Sequence, residues 1–111
     1  YIMTPHQKRR FPEKVDFCTS AGFVSGHGER EAAGLRGKGP QAVVTDLGIM
    51  EPDETGEFVI TALHPGIQVE QLQANTGWDL RVARELRVTA PPQEHELQIL
   101  REELDPQGIY R

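Results

Sequence analysis

The sequence predicts an α/β domain, and three observations carry that reading. Val43-Val44-Thr45-Asp46-Leu47-Gly48-Ile49-Met50 and the run ending at Leu63 are short extended stretches rich in β-branched and aromatic residues, separated by turn-forming chemistry. The second run hands over through Pro65-Gly66 to a helical pattern. A further helix follows Ala90-Pro91-Pro92, where Leu97, Leu100 and Leu104 recur at i, i+3 and i+7.

Taken in order, Tyr1-Ile2-Met3 reads as a strand already under way, as in a piece of something longer. Pro5 punctuates it, and the basic cluster His6-Gln7-Lys8-Arg9-Arg10 reads as a solvated turn because no aromatic residues interleave with it, with a phosphate or carboxylate site as the alternative. Val15 to Thr19 is expected as a second strand, with Cys18 a small buried hydrophobe in it. Residues Gly22 to Pro40 form a loop holding Gly22, Gly26, Gly28, Gly34, Gly37 and Gly39, with a single helical turn around Glu29 to Ala33. Glycine at that density permits positive φ and close approach of another surface. Such a loop is either mobile at the surface or packed on a ligand or partner.

Ala42 to Met50 and Glu57 to Leu63 are expected to pair as an antiparallel hairpin across Glu51-Pro52-Asp53-Glu54-Thr55-Gly56. Val69, Leu72 and Ala74 suit a short helix that Gly77 stops in a left-handed cap. Trp78-Asp79-Leu80-Arg81-Val82 alternates as a half-buried strand, which makes Trp78 a core residue. Glu94 to Leu104 is the last helix, closed by Asp105-Pro106 and solvated along Glu96, Arg101, Glu102 and Glu103.

Composition narrows the function classes. The 111 residues suffice for one core, and 37% hydrophobic with 26% charged is an ordinary soluble mixture without an apolar run approaching the ~20 residues of a membrane span. No membrane is expected as a partner on that ground, and twelve basic against seventeen acidic residues, a net charge of −5, argue against nucleic acid. One cysteine excludes an internal disulfide, and without a signal segment at the start a cytoplasmic address is expected.

Recognisable catalytic patterns are excluded one by one. Gly37-Lys38-Gly39-Pro40 lacks the Ser or Thr that follows the lysine of a phosphate-binding loop, and Glu31 stands where a dinucleotide fingerprint opened by Gly26-His27-Gly28 needs its third glycine. The acidic turn at Asp53 has no alternating carboxylates for calcium. The four histidines show no paired spacing for a metal, and neither Ser20 nor Ser25 sits in a nucleophile elbow. No catalytic residue and no metal ligand is assigned.

Five blocks nevertheless share the order and spacing of one family: His6-Gln7-Lys8-Arg9-Arg10-Phe11, Val15-Asp16-Phe17-Cys18-Thr19-Ser20, the stretch from Gly39-Pro40 to Leu47-Gly48, Asn75-Thr76-Gly77-Trp78-Asp79-Leu80, and Leu100-Arg101-Glu102-Glu103-Leu104-Asp105-Pro106. Together they resemble the C-terminal part of the B (beta) subunit of family I CoA-transferases, most of all the glutaconate branch, while Leu63 to Leu72 is also similar to 3-oxoacid CoA-transferases. The resemblance implies an open CoA-transferase-type sheet with flanking helices, in which residues 1–111 are the C-terminal portion of a larger domain. It implies an A subunit as partner, acyl-CoA and carboxylic acids as substrates, and no permanently bound cofactor beyond coenzyme A thioester as substrate. It also implies a glutamate that forms an acyl anhydride and then a glutamyl-CoA thioester.

In the family that glutamate and its glycine-rich oxyanion loop lie upstream of anything present here, and none of Glu13, Glu29, Glu31, Glu51 or Glu54 occupies the motif. The residues expected to line a wall of the acyl-CoA site are His6, just after a strand end, and Gly26, His27, Gly28 and Arg30 in the glycine loop. Arg30 is a candidate partner for a substrate carboxylate or a CoA phosphate, with a surface salt bridge as the alternative. His64 is expected to be a turn residue. Two rival readings are a CoA-ester hydrolase on the same scaffold and a non-catalytic binding or assembly module. Self-association through uncovered sheet edges is expected.

Overall fold

The computed structural model describes residues 1–109. In chain order the elements are β1 (Ile2–Met3), α1 (Glu29–Ala32), β2 (Val43–Val44), β3 (Gly48–Pro52), β4 (Phe58–Leu63), α2 (Val69–Ala74), β5 (Val82–Val88) and α3 (Glu94–Gln98), which continues as a π-helical segment, Ile99–Leu104. The strands form one mixed sheet in the order β1-β2-β3-β4-β5. β1 is parallel to β2, β3 is antiparallel to both its neighbours, and β4 is parallel to β5. Four strands therefore point the same way, and β3 alone runs against them. The α/β sheet with flanking helices that the sequence predicts is present.

The expected hairpin forms, with Ile49 opposite Ala62 and Glu51 opposite Val59. Its first strand, however, is not the continuous Ala42 to Met50 run. The chain doubles back at Thr45, whose amide donates to the Gly48 carbonyl (2.9 Å) and whose hydroxyl receives the amides of Leu47 (3.2 Å) and Gly48 (3.1 Å). A hydroxyl that satisfies two turn amides offers the backbone an alternative to extension, and β-propensity alone does not register it. Gly48 completes the turn because a Cβ there would collide with the Ala62 carbonyl across the hairpin.

Apolar burial fixes the rest. Met50, Ile60, Leu72 and Leu80 are fully buried, joined by Phe11, Val43 and Leu63, with Leu47, Phe58, Ile67, Val69 and Trp78 packed around them. Trp78 is thus a core neighbour, as expected. α2 delivers Leu72 to this core, and a Gln68–Gln71 capping box sets its start. Gly77 does follow α2, but not as a left-handed cap: its backbone is pressed against Phe11, Pro12 and Glu13, and its amide donates to the Phe11 carbonyl at 2.7 Å. The requirement there is close approach.

Three other elements differ from expectation. Val15 to Thr19 forms no strand, and Val15, Phe17 and Cys18 are exposed, because no neighbouring strand pairs with this segment. Trp78 to Leu80 passes under the core as a loop, and the strand begins only at Val82, in a stretch whose charged residues mask its β character. Beyond α3, the wider π turn spends an extra residue per turn and rotates the leucine stripe off register. Leu97 is half-buried while Leu100 and Leu104 are exposed.

The radius of gyration is 16.1 Å, where a compact domain of this length would have about 13 Å. Both edge strands are open to solvent along one side, and Met3, Phe17, Val88, Leu104 and Ile109 are more than half exposed. Among the described residues no helix is long and apolar enough to cross a membrane.

Candidate functional site

Topology separates the predicted site residues into two groups. His6 follows β1, Thr45 follows β2, His64 follows β4 and Thr89 follows β5, so all four stand at the carboxyl ends of the parallel strands. Gly26 packs against Thr55 in the β3–β4 turn, at the opposite end of the sheet, where its φ is +82° and a Cβ would strike the Thr55 carbonyl. His6 and the glycine loop do not share one cavity.

At the carboxyl end, the Thr45–Gly48 turn is held from both sides. His6 is buried, its ring stacked on Phe11 with centroids 4.6 Å apart. Its Nδ1 lies 3.2 Å from Thr45 Oγ1 and its Nε2 lies 2.9 Å from Thr76 Oγ1. Thr76 Oγ1 donates its own hydrogen to the Leu72 carbonyl at 2.9 Å, so toward the ring it accepts, and Nε2–H is the donor. In the neutral ring Nδ1 is then the acceptor side, facing a Thr45 hydroxyl that receives two amides and also donates to the Gly48 carbonyl at 3.0 Å. Desolvation by burial lowers the His6 pKa from its ordinary 6.5, against an opposing pull from Asp46 and the Leu72 carbonyl.

The sign of the resulting pH dependence follows. Below about pH 6.5 the unfolded chain takes up a proton that the buried ring resists, so stability present above that pH is lost as pH falls through the folded-state value. Urea unfolding of wild type is expected to weaken over this window, and His6→Gln should flatten the dependence. Parallel pH curves for the two proteins would refute the assignment.

His64 is more than a turn residue. Its Nε2 is 2.8 Å from the Thr45 carbonyl, which can only accept, so Nε2 carries a hydrogen, and its Nδ1 lies 2.8 Å from Thr89 Oγ1. Sequence reasoning missed this role because its partners are 19 and 25 residues away. Asp46, exposed at the tip of the turn, has Oδ1 pinned by the His6 amide at 2.6 Å.

At the other end, Gly26, His27, Gly28 and Arg30 do come together, with Lys38, Gln41 and the Asp53–Gly56 turn, around a cavity of about 500 Å³. Val24 and His27 adopt φ of 61° and 52°, positions that cost a side chain local strain. Among the described residues Arg30 makes no salt bridge; its guanidinium donates to the carbonyls of Gly22 (2.6 Å), Arg36 (2.6 Å) and Gly37 (3.2 Å) and so braces the loop. Asp53 is held below the usual carboxylate range, first by the Thr55 hydroxyl and then by Arg81. Among the described residues no three His, Cys, Asp or Glu side chains gather as metal ligands.

No protein-family model matches the chain. Individual relatives do. It is 46% identical over 101 residues to the B subunit of 3-oxoadipate CoA-transferase from Pseudomonas knackmussii, covering 90% of this chain and 39% of that protein. It is 44% identical over 107 residues to the B subunit of glutaconate CoA-transferase from Acidaminococcus fermentans, covering 95% and 40%. The crystal structure of the latter enzyme superimposes with a TM-score of 0.83 at 43% identity over 95% of this chain and 41% of that one. Nearly the whole chain is homologous to a part of CoA-transferase B subunits.

A more distant likeness, 31% over 112 residues, is to the cholesterol ring-cleaving hydrolase IpdB subunit of Rhodococcus jostii, covering 98% of this chain and 43% of that protein. The Rhodococcus jostii IpdAB structure gives a TM-score of 0.76 at 28% identity, over 98% of this chain and 44% of that one. The chain spans about two fifths of the length of the transferase B subunits it matches.

Proposed function

We propose that this chain is the C-terminal portion of a CoA-transferase B subunit whose complete enzyme moves CoA between carboxylic acids. The observation that carries the reading is the 44–46% identity to two transferase B subunits over nearly the whole chain. The nucleophile is a glutamate upstream of these residues, and the chain supplies scaffold, subunit contacts and part of the acyl-CoA site. In the reaction the glutamate carboxylate attacks the thioester carbonyl and expels CoA thiolate, leaving an acyl anhydride. The thiolate attacks the glutamyl carbonyl and releases the first acid, giving glutamyl-CoA. An acceptor carboxylate reverses the two steps and carries the CoA away. Each step exchanges one activated acyl group for another. An A-type subunit completes the site, no cofactor is bound permanently, and the enzyme works in the cytoplasm.

The test is CoA exchange by the complete B polypeptide with an A-type subunit, given an acyl-CoA and a free acid. Transfer to the acid, with inactivation by borohydride only after exposure to acyl-CoA, is the expected result. Release of free CoA and acid, without transfer, would favour the hydrolase reading. Residues 1–111 alone are expected to self-associate through the open edges and exposed apolar side chains. Strictly monomeric elution at high concentration, indifferent to an A-type subunit, would instead favour an independent module.

A further inference from the structure

We infer that Asp46 is a thioester-binding residue of that transferase, accepting a hydrogen bond from an amide N–H of the pantetheine arm of acyl-CoA. The inference rests on the transferase reading and adds a ligand contact to it. Asp46 stands on the turn joining β2 to β3, at the carboxyl ends of the four parallel strands, the end at which open α/β sheets bind their ligands. The turn is unusually well fixed for a surface feature. Thr45 is gripped by His6 through its hydroxyl and by His64 through its carbonyl, and His64 is tied in turn to Thr89.

That clamp sets the carboxylate itself. Asp46 Oδ1 is occupied by the His6 amide at 2.6 Å, which orients the group, while Oδ2 has no donor among the described residues and the side chain remains exposed. An acceptor held in place before its ligand arrives loses little entropy on binding. Asp46 forms no ion pair among the described residues, and burial disfavours the charged form of its cationic candidate, His6. A lone carboxylate repels the phosphates at one end of an acyl-CoA and any free carboxylate at the other. Of the donors on coenzyme A, the adenine amino group and ribose hydroxyl stand beyond the phosphates, whereas the two amide N–H groups and the hydroxyl of pantetheine form the uncharged stretch next to the thioester. The glycine-loop cavity at the far end of the sheet is a poorer rival, since Arg30 is already engaged by three carbonyls.

The experiment compares wild type, Asp46→Asn and Asp46→Ala in the complete B polypeptide assembled with its A-type subunit. Steady-state kinetics use an acyl-CoA and the matching acyl-pantetheine, and equilibrium titration uses coenzyme A itself. Asp46→Ala is expected to raise KM for both thioesters by the same factor, about tenfold, and to weaken coenzyme A binding to match. KM for the acceptor acid should not move. Asp46→Asn keeps an oxygen for the His6 amide, so an unchanged melting temperature with an intermediate rise in KM separates contact from folding. Active wild type with unaltered thioester KM in both variants would overturn the inference and leave the transferase reading standing. A loss seen with acyl-CoA but not with acyl-pantetheine would also overturn it. A wild-type assembly that neither transfers CoA nor binds it would overturn both.

Discussion

Gly77→Ala is expected to be the most damaging single-methyl change in the chain. A Cβ at this position meets three backbone atoms of one segment: the Glu13 amide nitrogen, the Pro12 carbonyl carbon at 2.7 Å and the Phe11 carbonyl oxygen at 2.9 Å. Backbone cannot rotate aside as the end of a flexible side chain can, so one of the two strands of chain must retreat. Retreat breaks the 2.7 Å hydrogen bond from the Gly77 amide to the Phe11 carbonyl and withdraws the Phe11 ring from both His6 and Trp78. Overpacking with loss of a buried hydrogen bond should cost about 3 kcal/mol or more, a large part of the ~5–15 kcal/mol that holds a typical domain. Gly66→Ala is the matched control. Its φ is +81° with nothing within 4 Å of the added carbon, so about 1–2 kcal/mol of backbone strain is all it should lose. Urea midpoints that rank the two variants equally would show that the Phe11–Glu13 segment yields without cost.

Leu72→Ala should follow closely. Leu72 is the one fully buried residue of α2, and it meets the sheet beside Ile60 and Leu80 in the core. Six residues of helix have little stability of their own, so the helix is held mainly by this side chain. Truncation should cost about 2–5 kcal/mol, the transfer free energy of the missing carbons plus the void they leave. A second effect distinguishes this site from a generic core position. The Leu72 carbonyl anchors Thr76, and Thr76 anchors His6. Loosening α2 should thus shift the imidazole resonances of His6, whereas Val59→Ala, buried elsewhere in the sheet, should leave them in place. A loss under about 1 kcal/mol would mean that α2 is not carried by Leu72.

Local chemistry with local causes was legible in the sequence. The β3–β4 hairpin, the short turn of α1, the start of α2 and the core position of Trp78 all follow from patterns within a few residues, and they are present. Features decided by distant partners were not. Thr45 reads as a strand residue until Gly48 and His6 claim its hydroxyl. Val15 to Thr19 has strand composition but no partner, and Val82 to Val88 has the partner without the composition. The same division runs through the candidate site. Gly26, His27, Gly28 and Arg30 are neighbours in sequence and lie together. His6 and His64 meet only through Thr45, 39 and 19 residues away respectively, and no short motif reports such a meeting. The family likeness bridged that gap for the fold as a whole, because it compares entire patterns and not single windows.

The clamp on the Thr45–Gly48 turn carries a consequence for the order of events during synthesis. The β3–β4 hairpin needs only the chain between residues 48 and 63, so it can form as soon as that stretch leaves the ribosome. The clamp draws on His6, His64, Thr76 and Thr89. Its last component, Thr89, is made some two dozen residues after the hairpin closes, and the buried imidazole of His6 lacks its seat until Thr76 is made. A nascent chain stalled before Thr76 should therefore hold a formed hairpin beside an unformed carboxyl edge, an interval in which chaperones have apolar surface to bind.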